Sequence, residues 1–178
     1  MAYAVGLDYG TNSVRCLIVD TSTGRELGTC VYEYETGQAG ILLDSADHNV
    51  ARQNPADYLK GVEVTVAGAI AEARQAEPGF DPKDVIGIGV DTTGSTPLPV
   101  DKDGTPLAML DAFKGNLNAQ AWLWKDHTGY AEAAEITELA RKERPQYLAK
   151  CGGTYSSEWF FSKILHCLRV APEVFDAA

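Results

Sequence analysis

With 178 residues and 45% hydrophobic content, the chain has the length and the apolar material for one domain, or one and a piece, around a well-buried core. Its 15 basic against 25 acidic residues give a formal charge of −10, which leaves no basic excess to neutralise a nucleic-acid backbone or an anionic membrane, so neither is expected as a partner. Small anions are not excluded, because backbone N–H groups and a bound cation hold them locally whatever the overall charge.

Cys16, Cys30, Cys151 and Cys167 form no C-x-x-C pair and no compact metal or disulfide spacing, which predicts buried free thiols in a reducing cytoplasm. Residues 1–8 lack a charged segment followed by a long apolar one, and no later apolar run approaches bilayer length.

Residues 4–7 are a short apolar run ending at Asp8-Tyr9-Gly10-Thr11, and residues 13–20 resume it with Val14, Cys16, Leu17, Ile18 and Val19. After the turn Thr21-Ser22-Thr23-Gly24, residues 26–34 supply a third strand, so three successive antiparallel strands are predicted, forming a meander. Residues 37–54 show neither period and read as a long loop. Asn54 and Pro55 then suit the start of a helix through residue 75, with Tyr58, Leu59, Val62, Val66, Ala69, Ile70 and Ala73 along its apolar face.

Residues 85–90 form a compact apolar run that predicts a buried inner strand of the same sheet, ending at Asp91-Thr92-Thr93-Gly94. Residues 98–100 and 107–110 flank Asp101-Lys102-Asp103-Gly104 as a predicted hairpin. Two helices follow. Residues 130–144 stop before Pro145, and residues 158–169 carry Trp159, Phe160, Ile164, Leu165 and Leu168 on a broad apolar face. No closing strand follows, which suggests a truncated domain.

Four constellations could carry chemistry. In Asp8-Tyr9-Gly10-Thr11-Asn12-Ser13-Val14-Arg15 an acid precedes a glycine and hydroxyls able to donate to phosphate oxygens, although a structural hairpin turn has the same composition. Neither a G-x-x-x-x-G-K-[ST] nor a G-x-G-x-x-G pattern is present. Asp91-Thr92-Thr93-Gly94-Ser95-Thr96 places hydrogen-bonding side chains around a glycine just past a strand, or is a satisfied polar loop. Trp122-Leu123-Trp124-Lys125-Asp126-His127-Thr128 sets aromatic faces beside a cation and an acid, which suits a polyol; a surface ion pair beside core tryptophans is the alternative. Gly152-Gly153-Thr154-Tyr155-Ser156-Ser157-Glu158 ends in a carboxylate, which capping by Ser156 or Ser157 and the dipole of the following helix also explain. The histidines make no metal set.

In this order the segments resemble the FGGY carbohydrate kinases, and within that family the members acting on L-ribulose. The likeness rests on the Asp8 to Arg15 start, on Gly87-Ile88-Gly89-Val90-Asp91-Thr92-Thr93-Gly94-Ser95-Thr96-Pro97-Leu98-Pro99-Val100-Asp101, on Leu123-Trp124-Lys125-Asp126-His127-Thr128, and on Gly152-Gly153-Thr154-Tyr155-Ser156-Ser157-Glu158-Trp159-Phe160. Thr93 to Thr96 and Glu158 depart from the patterns of relatives acting on glycerol or xylulose, which favours ribulose.

The resemblance implies an α/β, actin-like and ribonuclease-H-like fold of mixed sheets with flanking helices, in which residues 1–178 form the amino-terminal part of the first of two domains. It implies ATP and Mg2+ as the phosphate donor and its metal, and a ketopentose such as L-ribulose as the acceptor, with a homo-oligomer left open. Gly10, Thr11, Asn12, Ser13 and Arg15 would face the phosphates, with Asp8 holding Mg2+ through water. Gly94, Ser95, Thr96, Trp124, Lys125, Asp126 and Glu158 would line the sugar side. The general base would lie outside this chain, leaving it inactive alone. Two readings from other classes stand beside this one: a non-catalytic actin-like scaffold, and a ribonuclease-H-type nuclease using Asp8 and Asp91.

Overall fold

The computed structural model describes residues 1–178. In chain order its elements are β1 (Tyr3–Tyr9), β2 (Ser13–Asp20), β3 (Glu26–Glu33), β4 (Leu42–Leu43), β5 (Ala51–Gln53), α1 (Pro55–Ala76), β6 (Val85–Thr92), β7 (Ala121–Trp122), α2 (Tyr130–Glu143), α3 (Pro145–Lys150), α4 (Phe160–Val170) and α5 (Pro172–Ala177), with short 3-10 turns between β6 and β7. They fall into two units, Met1–Gly40 with Ala56–Thr93, and Ile41–Pro55 with Gly94–Ala178. No helix is long and apolar enough to cross a membrane.

The first unit is a four-stranded sheet in the order β3-β2-β1-β6, covered on one face by α1. Alternation fixes which side chains meet the helix: Tyr3, Val5 and Leu7 of β1, Cys16 and Ile18 of β2 and Leu27 of β3 pack with Ala69, Ala73 and Phe80. Burying each of the larger aliphatic side chains contributes roughly 1.5–3 kcal/mol. Missing side chains let the helix sit close. A Cβ on Gly28 would strike the Ala69 carbonyl and the Ala73 amide, and one on Gly61 would strike Val14.

The expected meander is present, with β1 antiparallel to β2 and β2 to β3, and β6 joins it parallel to β1. The expectation of an inner, buried position for β6 is overturned. It is the edge strand, with Ile86, Ile88 and Val90 exposed by 73%, 67% and 60%. An apolar run reports a strand that needs cover, not where in the sheet it lies, and here α1 lies over β1, β2 and β3 and leaves β6 bare. Leu59, placed on the apolar face of α1 by spacing, is exposed as well.

The second unit holds the three-stranded sheet β4-β5-β7 and the four remaining helices. Two of its strands lie in the stretch read as a loop, because β4 and β5 have two and three residues and are too short to show a period. The predicted hairpin at 98–110 reduces to one bridge, Val100 to Pro106. Its turn is held by Asp101 Oδ1, which accepts from Asp103 and Thr105 amides, and Leu107–Met109 is a 3-10 turn. Helix α2 ends as expected before Pro145, which opens α3. Helix α4 begins at Phe160 behind an N-cap Trp159 with no side-chain cap bond, so Glu158 precedes the helix and neither Ser156 nor Ser157 caps it. Its buried residues are Ser162, Lys163 and Cys167, while Phe160 and Leu168 of the predicted apolar face are exposed.

Candidate functional site

The turn joining β1 to β2 holds itself in shape. The Gly10 amide donates to the Ser13 carbonyl at 2.9 Å, the Tyr34 amide to the Asn12 carbonyl at 2.9 Å, and Asn12 Nδ2 to the carbonyl of Ala39 at 2.6 Å. Gly10 N–H and the Asn12 side-chain amide are therefore engaged within the protein. Ser13 and Thr11 are half-buried, and Arg15 is exposed.

Register does the rest. Asp8 pairs with Arg15 across β2 and with Asp91 across β6, so the three charged side chains form a row on the face of the sheet away from α1. Gly6, Gly87 and Gly89 leave that face open, since a Cβ at any of them would meet nothing within 4 Å. Asp8, Arg15 and Asp91 line a shallow depression of about 450 Å3 with Gly6, Leu17 and Gly89. Two adjacent carboxylates are hard oxygen donors of the kind Mg2+ selects, and Arg15 is a donor suited to phosphate oxygens. The residues present thus fit a metal-bound phosphate. The parallel register sets Asp91 directly beside Asp8, the two carboxylates that the nuclease reading also names.

In the second unit, the segment from Trp122 to Thr128 is gripped from two sides. Arg52 on β5 lays its guanidinium 3.5 Å over the Trp122 ring and pairs with Asp126 Oδ2. That oxygen also accepts from the Ala51 amide at 2.8 Å, while Oδ1 accepts from the Thr128 amide at 3.1 Å and hydroxyl at 2.6 Å. Asp126 is 0% exposed with both oxygens engaged, so within this chain it braces the segment from within. It is unlike the surface ion pair that the alternative reading supposed. Trp124 is exposed and Lys125 half-buried, so these two face outward from the braced segment.

Glu158 is brought to this segment through His127, whose Nδ1 lies 2.9 Å from Ser157 Oγ and whose Nε2 lies 3.9 Å from Glu158 Oε1. The Glu158 amide donates to Ser156 Oγ at 3.1 Å. Gly94 and Ser95 are exposed and Thr96 is half-buried, and Ser95 adopts a left-handed φ of 59°.

Lys163 of α4 reaches both groups of residues. Its ammonium donates to the carbonyls of Leu123 at 2.6 Å and Ser95 at 2.8 Å, with those of Trp122 and Trp124 each at 3.4 Å. Burial, and then the nearby Arg52 charge, push its pKa down to about 8 against the opposing pull of Glu158. Sequence reading missed Arg52 and Lys163. Arg52 lay in an apparent loop without signal, whereas Lys163, three residues from Phe160 and four from Cys167, interrupts a helical apolar stripe and could have been noticed there.

The chain is 44% identical over 162 residues to a ribulokinase of Vibrio parahaemolyticus, covering 90% of this chain and 28% of that protein. It is 38% identical over 178 residues to a ribulokinase of Halalkalibacterium halodurans, covering 98% and 31%. Among solved structures, a gluconate kinase from Lactobacillus acidophilus superposes with a TM-score of 0.69 at 17% identity, over 99% of this chain and 30% of that one. The chain thus spans about three tenths of the length of these relatives, and the likeness to sugar kinases bears out the actin-like, ribonuclease-H-like mixed fold. Residues 3–178 match the model of the FGGY family of carbohydrate kinases, N-terminal domain, and the chain belongs to that family.

Proposed function

We propose that this chain is the amino-terminal part of the first domain of a cytoplasmic sugar kinase that transfers the γ-phosphoryl group of ATP to a ketopentose, L-ribulose, giving L-ribulose 5-phosphate. The observation that carries the reading is the row Arg15, Asp8 and Asp91 on a glycine-cleared sheet face, in a chain 44% identical to a protein described as a ribulokinase. Phosphoryl transfer needs positioning and charge neutralisation rather than covalent chemistry from the protein, and this face has both signs of charge at hand. Arg15, Thr11 and Ser13 donate to phosphate oxygens, and Gly10 and Asn12 hold the turn that presents them. Asp8, with Asp91 beside it, would hold the Mg2+, which would supply neutralisation of phosphate charge.

On the sugar side, Gly94, Ser95, Thr96, Trp124, Lys125 and Glu158 present a ring face and both signs of charge to a polyol, with Asp126 supporting them from behind. The general base belongs to the remainder of a longer protein, so this chain alone has no turnover. The test is ADP release by the full-length protein with MgATP and L-ribulose, xylulose, gluconate or glycerol. Release dependent on L-ribulose, with a phosphorylated pentose found by mass spectrometry, is expected. Preference for another sugar would reject the ketopentose, and no sugar-dependent ADP release at all would reject the kinase.

A further inference from the structure

Lys163 is electrostatically out of place. It is 0% exposed, it stands in the first turn of α4 where the helix dipole disfavours a cation, and its four acceptors are all neutral backbone carbonyls. A methionine of similar volume would fill the space without burying a charge, but would leave the Leu123 and Ser95 carbonyls without this donor. The ammonium does something a methionine would not: it joins α4 to Ser95 and to the Trp122 to Trp124 carbonyls, segments 68 and about 40 residues away along the chain.

Both segments end in groups assigned to the sugar. Ser95 has a left-handed backbone that a serine adopts only when its surroundings impose it, and the amine holds its carbonyl. Trp124 and Lys125 project outward from a strip whose inner side is fixed by Arg52 and Asp126 on one flank and by Lys163 on the other.

We infer that Lys163 is a positioning residue for sugar binding, its buried ammonium locking the Ser95 loop to the Trp124-Lys125 strip so that the two present their groups in fixed register. The inference rests on the sugar-side assignment made above, and it adds a residue that never touches the sugar.

In the full-length protein, Lys163→Met is expected to raise the KM for the ketose about tenfold while the KM for ATP stays within about twofold. Cys167→Ala, one turn along the same helix and also buried, supplies the structural control. A ketose effect no larger than that of Cys167→Ala at equal loss of melting temperature would overturn the inference. If Lys163→Met does not fold, Lys163→Gln, which keeps N–H donors without the charge, takes its place and is expected to show a smaller rise in ketose KM; failure of both to fold would make the amine a purely structural clamp and overturn the positioning role. Lys125→Ala and Glu158→Ala separate the two levels. Weakened ketose binding in these but not in Lys163→Met rejects the positioning role alone, whereas unchanged ketose binding in all three rejects the sugar-side assignment itself.

Discussion

Asp126 carries a charge where no solvent reaches, and its partners account for both oxygens: Arg52 and the Ala51 amide on one, Thr128 on the other. Removing one member of such a pair strands the other in a low-dielectric interior. Asp126→Asn is therefore expected to destabilise the protein by about 3–5 kcal/mol, read from urea midpoints, whereas replacing Arg52 and Asp126 together by Met and Leu should cost less than either single change. An Asp126→Asn protein of undiminished stability but weakened ketose binding would return this carboxylate to the sugar. On the proposed phosphate side, Thr11→Ala or Ser13→Ala removes a hydroxyl assigned to the phosphates and is expected to raise the KM for ATP roughly tenfold, equivalent to about 1.4 kcal/mol, with ketose KM unchanged. Wild-type ATP kinetics in both variants would withdraw the phosphate assignment of the first turn.

At the scale of elements, the contact of α1 with the sheet depends on Gly28. Ala at that position must push its methyl into the Ala69 carbonyl, which belongs to helix backbone and cannot rotate away. Gly28→Ala is expected to cost roughly 1–3 kcal/mol, measured by chemical denaturation; a neutral result would mean that α1 shifts freely over β3. The helix itself was legible in the sequence, as were β1, β2 and β3, because each is long enough to display its period. β4 and β5 were not, since strands of two and three residues are defined by their partners rather than by their own pattern. β6 was legible as a strand and misplaced in the sheet, because apolarity is local information and edge position is not. The residues of the candidate site were named by motif, but Asp126 turned out to face inward and Lys163 was overlooked. Both features were illegible for the same reason: which way a charged side chain points depends on neighbours as far as 75 residues away, as the Ala51 amide is from Asp126.

For the molecule as a whole, a formal charge of −10 and an unguarded sheet edge act against each other. Between Val85 and Val90 no charge or proline interrupts the free edge, and such edges recruit further strands unless repulsion keeps copies apart. Self-association of this chain is expected to grow as the pH falls toward its isoelectric point near 4.7, and light scattering should show that Ile88→Lys suppresses it. Equal association in that variant would exonerate β6. The grip of Lys163 has a consequence of a different sort. An ammonium has three protons, and four carbonyls surround this one; the two near contacts, Leu123 and Ser95, take two of them. The third is contested by the Trp122 and Trp124 carbonyls, each 3.4 Å away. A shift of the Trp124 carbonyl toward the amine would take that proton from the carbonyl of Trp122, whose ring carries the Arg52 guanidinium, so the exposed and the buried tryptophan would be coupled through the allocation of a single hydrogen.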